Sequence, residues 1–291
     1  MNAEFASHYN CRVRDDIIAA AVDDVTRVVI EALARDEAPT ADALRLLLRA
    51  HAATGREDVR DALEPALALA LEIAGDSPSA DVPRWLLLFA EAIDASEDER
   101  LREAASNLAT KLRMNWAGLS DIAAKAASLD AFFYALPVLG KDAVDTGALQ
   151  AALDELERTV SATYEPGQGV EGTLDNQIHV ASALLSAFSL TDRLPYSMLA
   201  EELVQHGRAA LLSGKLAFAV GCEAADVLSR LSELHQREEY RAAAVIAPDA
   251  NYAEDAALIL ERLAPEASSH GLAGAAYGLA AGELQSAFPC Q

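Results

Sequence analysis

Apolar positions recur along this chain at the spacing of about 3.6 residues that gathers them on one helical face. That period predicts helical segments near 12–35, 40–53, 57–74, 82–95, 98–114, 120–136, 142–163, 175–190, 195–212, 216–234, 237–263 and 268–286. Residues 1–11 precede the pattern and read as an N-terminal extension. Pro248 is expected to break the segment 237–263, because proline lacks the helical N–H donor and clashes with the preceding turn. Pro65 marks either a kink or an early boundary. β-Branched runs bounded by turns are nearly absent; the nearest, Ala244-Val245-Ile246-Ala247, is too short to make a sheet.

The segments repeat. Apolar helices recur at residues 43–48, 84–89, 131–136, 180–185 and 225–228, at an interval of about 40–48 residues that suits a helix-pair repeat. A similar beginning follows several of them: Glu57-Asp58-Val59-Arg60, Glu99-Arg100-Leu101-Arg102 and Glu238-Glu239-Tyr240-Arg241. Acids in a first turn complement the positive end of the helix dipole. Stacked helix pairs form either an open solenoid or a closed ring. About six pairs, and a last segment (271–282) of small apolar residues on nearly every side, favour the ring. The expected fold is therefore all-α, an (α/α)6 toroid of about six helical hairpins in a single domain spanning 1–291.

Composition agrees with helices, since most of the apolar content is Ala and Leu, which lose little side-chain entropy in a helix. Charge narrows the function classes. A formal −23 argues against nucleic acid, which requires a concentrated basic surface, and against anionic membranes. Cys11, Cys222 and Cys290 are too sparse for a disulfide framework and suggest a reducing compartment. The acidic start lacks a signal-peptide pattern, and no stretch reads as the ~20 uninterrupted apolar residues of a membrane span. The expected location is cytoplasmic.

Two stretches carry a family resemblance. One is 174–185 (Leu174-Asp175-Asn176-Gln177-Ile178-His179 onward) with Met198-Leu199-Ala200-Glu201-Glu202-Leu203. The other is Ser213-Gly214-Lys215, then 222–231, then 238–243. Together they resemble the helical domain of the YyaL-type, spermatogenesis-associated-protein-20-like proteins, which belongs with the six-hairpin glycosidase-like and N-acylglucosamine 2-epimerase-like toroids. The detailed likeness covers about residues 170–286; upstream only the repeat rhythm agrees. This chain lacks the preceding thioredoxin-like domain and any CxxC pair, and has Lys215 where that family tends to show Asn. The resemblance implies a toroid and, at superfamily level, a carbohydrate-directed role.

If the recurrent apolar helices are the inner ones, the loops leading into them gather at one mouth of the ring. The longest of these loops runs from Tyr164 to His179, with three glycines, a proline and three acids, a length more typical of function than of connection. Asp175 and His179, four apart at a helix start, share a face. They can act as a general acid/base pair or as two metal ligands; alternatively Asp175 or Thr173 caps the helix and His179 is simply part-buried. No third ligand has recognisable metal-site spacing, and neither a metal nor a cofactor is expected. Glu165 and Glu171 offer a carboxylate pair for glycoside hydrolysis, or are solvated loop acids. Trp116 is a candidate stacking face for a sugar, whereas Trp85 reads as core. Tyr164, Gln168, Asn176 and Lys215 are further ligand-binding candidates, with Glu223 near Lys215 completing a polar rim.

His270, at the start of the last inner helix, is conjectured to face His179, as in the two-histidine arrangement that epimerase-like toroids use. Asp175, His179 and His270 are thus the candidate catalytic residues. His51, His206 and His235 fall late on helices or beside turns, away from the mouth. Cys222 reads as a buried small residue. No P-loop, GxGxxG or Ser-His-Asp order is present, and no reaction is assigned. Two functions remain: a toroid that binds or transforms a small polar, carbohydrate-like ligand in its lumen, or a non-catalytic helical-repeat scaffold for a protein partner.

Overall fold

The computed structural model describes residues 3–96, 98–140, 147–243 and 245–287, with side chains from Arg14 onward. The fold is all-α. In chain order the helices are α1 (Ala3–Ala34), α2 (Ala41–Thr54), α3 (Glu57–Ile73), α4 (Val82–Ala95), α5 (Glu99–Asn115), α6 (Ile122–Leu139) and α7 (Ala148–Thr163). A small antiparallel hairpin follows, β1 (Tyr164–Glu165) and β2 (Gly169–Val170). Then come α8 (Leu174–Thr191), α9 (Leu194–Ser213), α10 (Phe218–Gln236), α11 (Glu238–Ala243), α12 (Tyr252–Ala267) and α13 (Ala275–Ala287).

Local chemistry explains many boundaries. Helices α3, α5 and α11 begin at the repeated acids Glu57, Glu99 and Glu238. The side chains of Thr40, Asp98, Asp121 and Asn251 accept the first free N–H groups of α2, α5, α6 and α12. Pro248 lies in the break between α11 and α12, as expected, whereas Pro65 stays inside a continuous α3. Residues 3–11 of the predicted extension belong to the first turns of α1, which starts at Ala3. Residues 141–146, Ala244, Cys290 and the side chain of Cys11 lie outside the described part; Cys222 is buried and unbridged.

The chain divides into two compact units. The first holds the described residues of Met1–Leu63, Leu211–Glu238 and Asp249–Gln291. In it α10 packs between α12 and α13, α13 also packs on α2, and α1 lies across α12 and α13. Its core contains Val25, Val29, Leu44, Leu47, Leu228, Ile259, Leu260, Tyr252 and Tyr277. Small residues on α13 allow close approach: a Cβ on Gly278 would lie 2.6 Å from Leu46 Cδ1. Arg14 of α1 binds Glu254 and Glu261 of α12 at 2.7 and 2.8 Å.

The second unit holds the described residues of Glu64–Ala210 and Glu239–Pro248. Here α6 packs between α4 and α8, with α5 and α7 against it. By length and composition α6 is apolar enough to cross a membrane, which the sequence reading did not anticipate. Half of that stretch is buried in the protein, and its Asp130 accepts hydrogen bonds from Ser182 and Ser186 of α8 at 3.0 and 2.5 Å. Glu201 of α9, fully buried, accepts the N–H groups of Ile246 and Ala247, both at 3.0 Å, and so anchors the segment after α11.

Candidate functional site

The long loop before α8 is a built structure. Tyr164 pairs with Val170 and Glu165 with Gly169, and the Gln168 N–H closes the turn on the Glu165 carbonyl at 3.0 Å. The Glu171 N–H returns to the Thr163 carbonyl at 2.8 Å. Gln177, 5 % exposed in the first turns of α8, then acts as a substitute strand. Its Oε1 accepts from the Val170 N–H at 3.1 Å and its Nε2 donates to the Val170 carbonyl at 2.6 Å. Gly169 has φ +77, and a Cβ there would stand 2.4 Å from Gln177 Oε1, so a side chain is excluded on both counts.

Against this hairpin lies a pocket of about 740 Å³ within the second unit. Residues 162–165, 168–174 and 177 line it, with His206, Gly207 and Ala210 of α9. Its size falls in the range of small-molecule sites, roughly 300–1,000 Å³. Helices α8 and α9 meet closely at its base, where a Cβ on Gly207 would come within 2.6 Å of Leu174 Cδ1. Tyr164 donates its hydroxyl to Glu202 Oε1 at 2.5 Å; that bond, and partial burial, hold the phenol above its ordinary pKa.

Six of the expected site residues, Tyr164, Glu165, Gln168, Glu171, Asp175 and Asn176, belong to this hairpin or its junction with α8. Tyr164, Glu165, Gln168 and Glu171 line the pocket. Gln168 Nε2 donates to the Glu165 carboxylate at 2.9 Å. Asn176 does not line it; its amide donates to the Glu171 carbonyl at 2.8 Å and braces the loop. Asp175 and His179 do pair, His179 Nε2 lying 3.5 Å from Asp175 Oδ1, but neither is among the pocket-lining residues. Thr173 occupies the N-cap position of α8 without a side-chain capping bond.

The other expected residues lie elsewhere. Trp116 is 5 % exposed and sits edge-on to Phe132, centroids 5.0 Å apart, so core packing covers the face proposed for a sugar. His270 belongs to the first unit and stacks on Phe218 at 3.9 Å. Lys215 is exposed in the same unit.

His206, late on its helix and expected away from the mouth of the ring, lines this pocket. Sequence counting offered a signal: α8 and α9 form an antiparallel pair about a turn near 192, which brings residues 206–210 back beside 174–178. Gly207 beside it is a second signal, since a mid-helix glycine often marks close approach.

The first unit carries a separate charged cluster on α2, α10 and α13. Arg49 faces Glu283 at 3.6 Å, and Arg230 faces Asp226 at 4.0 Å, with Glu223 near by. Solvent reaches 31 % of the Asp226 side chain, yet the carboxylate is recessed among protein atoms. That recession, with the charges of Glu283 and Glu223 outweighing Arg230 and Arg49, pushes its pKa up to about 7. Among the described residues no group of three or more His, Cys, Asp or Glu is placed to hold a metal ion. No family model matches the chain, and no curated protein or solved structure is significantly similar to it.

Proposed function

We propose that this helical-repeat protein binds a small polar ligand, of carbohydrate type, in the hairpin pocket of its second unit. The observation that carries the reading is a cavity of ligand size whose wall is held in place before any ligand arrives. Gln177 clamps Val170, Asn176 braces Glu171, and Gly169 allows the tight approach, so little ordering entropy opposes binding. Polyhydroxylated molecules suit a wall dominated by polar groups. The carbohydrate class itself comes from the family resemblance.

The finer architecture we propose is the six-hairpin α/α toroid. Alternate helices pack side by side, α4–α6–α8 in one unit and α13 between α10 and α2 in the other, as neighbouring inner helices of such a ring do. No reaction is proposed, because the Asp175–His179 pair does not line the pocket.

Ligand-observed NMR on the full chain with a panel of monosaccharides and disaccharides tests the reading. Saturation transfer is expected for at least one sugar, and His206→Trp, which fills the pocket from an exposed helix position, should abolish it. No transfer to any sugar, or transfer indifferent to that substitution, overturns the proposal and leaves the non-catalytic scaffold as the working function.

A further inference from the structure

The pocket wall has an unequal supply of donors and acceptors, which bears on the charge of its ligand. Most of its donors are already engaged within the protein. The N–H groups of Gln168, Val170 and Glu171 are bonded to the Glu165 carbonyl, Gln177 Oε1 and the Thr163 carbonyl. The Tyr164 hydroxyl is given to Glu202, the Gln168 amide to Glu165, the Gln177 amide to Val170, and the Thr163 hydroxyl to the Thr159 carbonyl.

The charged acceptors are less committed. Among the described residues the Glu171 carboxylate has no hydrogen-bond or ion-pair partner, and Glu165 holds one amide. An ionised carboxylate is acceptor-only, with room for about four hydrogen bonds between its two oxygens. Among the described residues no lysine or arginine lines the pocket. The His206 imidazole, also without a partner among the described residues, contributes one donor and one acceptor when neutral. An anion here would meet two carboxylates with no fixed cation to offset them. A protonated amine would supply three donors and a positive charge to the groups that lack both. The chain's net charge of −23 favours the approach of cations for the same reason.

We propose that the hairpin pocket selects a small organic cation, a polyol bearing a protonated primary amine, and that Glu171 is the residue that binds its ammonium group. The inference rests on the pocket being the ligand site, and it names the class of ligand that site takes. His206, contributed by α9, contacts the hydroxylated part.

A matched series separates this inference from the reading beneath it. Calorimetric titration of the full chain with glucamine, sorbitol and gluconate varies one terminal group on a common polyol; putrescine supplies ammonium groups without hydroxyls. Glucamine is expected to bind about tenfold or more tightly than sorbitol, and gluconate not measurably. Glu171→Gln should bring glucamine down to the level of sorbitol while leaving thermal stability unchanged, because Glu171 is exposed and holds the hairpin through its main chain.

Equal affinity for sorbitol and glucamine, tighter binding of gluconate, or a preference that survives Glu171→Gln overturns the inference while leaving a polyol site in place. Putrescine binding as tightly as glucamine, and lost in Glu171→Gln, upholds the ammonium contact but removes the hydroxylated part and with it the carbohydrate class. No binding by any of the four overturns both.

Discussion

At the scale of single residues, Asp226 shows how position changes the chemistry of an ordinary side chain. It lies on α10 facing Arg230 of its own helix, Glu283 of α13 and Arg49 of α2, with Glu223 one turn away. Its folded pKa, about 7, stands above the ordinary 3.8, so the native state holds the proton more tightly than the unfolded chain. The associated stabilisation is complete below about pH 4 and is lost as the pH rises toward and through 7. A shift of this size corresponds to ~4 kcal/mol at most, and access of solvent to part of the side chain reduces it to about 1–2 kcal/mol. Asp226→Asn should therefore unfold at a higher temperature than the parent at about pH 8, and the gap should close near pH 4; thermal melts across that range measure it. A gap independent of pH would show that the carboxylate titrates normally. Glu223 was legible, with Lys215, as part of a polar rim, whereas nothing in the sequence singled out Asp226. What raises its pKa is first its recession among packed helices and then the charge of Glu283, about 57 residues away in the chain; neither is visible to local spacing.

Among elements, the most informative is the hairpin between α7 and α8. Its length and glycines marked it in the sequence as more than a connection, and its acids and Tyr164 do line a pocket. Its internal order was not legible, because that depends on Gln177 reaching back seven residues to both main-chain groups of Val170. Gln177→Met keeps the volume but leaves a buried N–H and C=O unpaired, at a cost of about 2–4 kcal/mol for the two groups. The expected result is a lower melting temperature and faster amide exchange at Val170 and Glu171, with exchange in α6 changed less. Unaltered exchange in the hairpin would mean that its strand pairing suffices alone. The Trp116 expectation fails for a related reason. Trp116 was expected to offer a stacking face to a ligand, yet the short helical turn after α5 directs the indole onto Phe132. A large aromatic surface gains more from such burial than from solvent.

For the whole molecule, charge is the dominant feature: −23 with two acids for every basic residue. Ion pairs such as Arg14 with Glu254 and Glu261 relieve this only locally. Raising sodium chloride from about 10 mM to about 0.5 M shortens the screening length from roughly 30 Å to a few ångströms. Self-repulsion should then weaken and the melting temperature rise by about 2–6 °C. A fall instead would mean that the ion pairs contribute more than the net charge opposes. The sequence by itself determined the helices, their repeat and many of their ends, because helix period, first-turn acids and capping side chains act within a few residues of one another. Only the tertiary structure decided which polar groups meet. The engagement of the hairpin's donors, the return of His206 to the start of α8, the burial of Trp116 and the proton affinity of Asp226 all depend on contacts between residues distant in sequence. Their energies come from packing and desolvation, which no local spacing encodes.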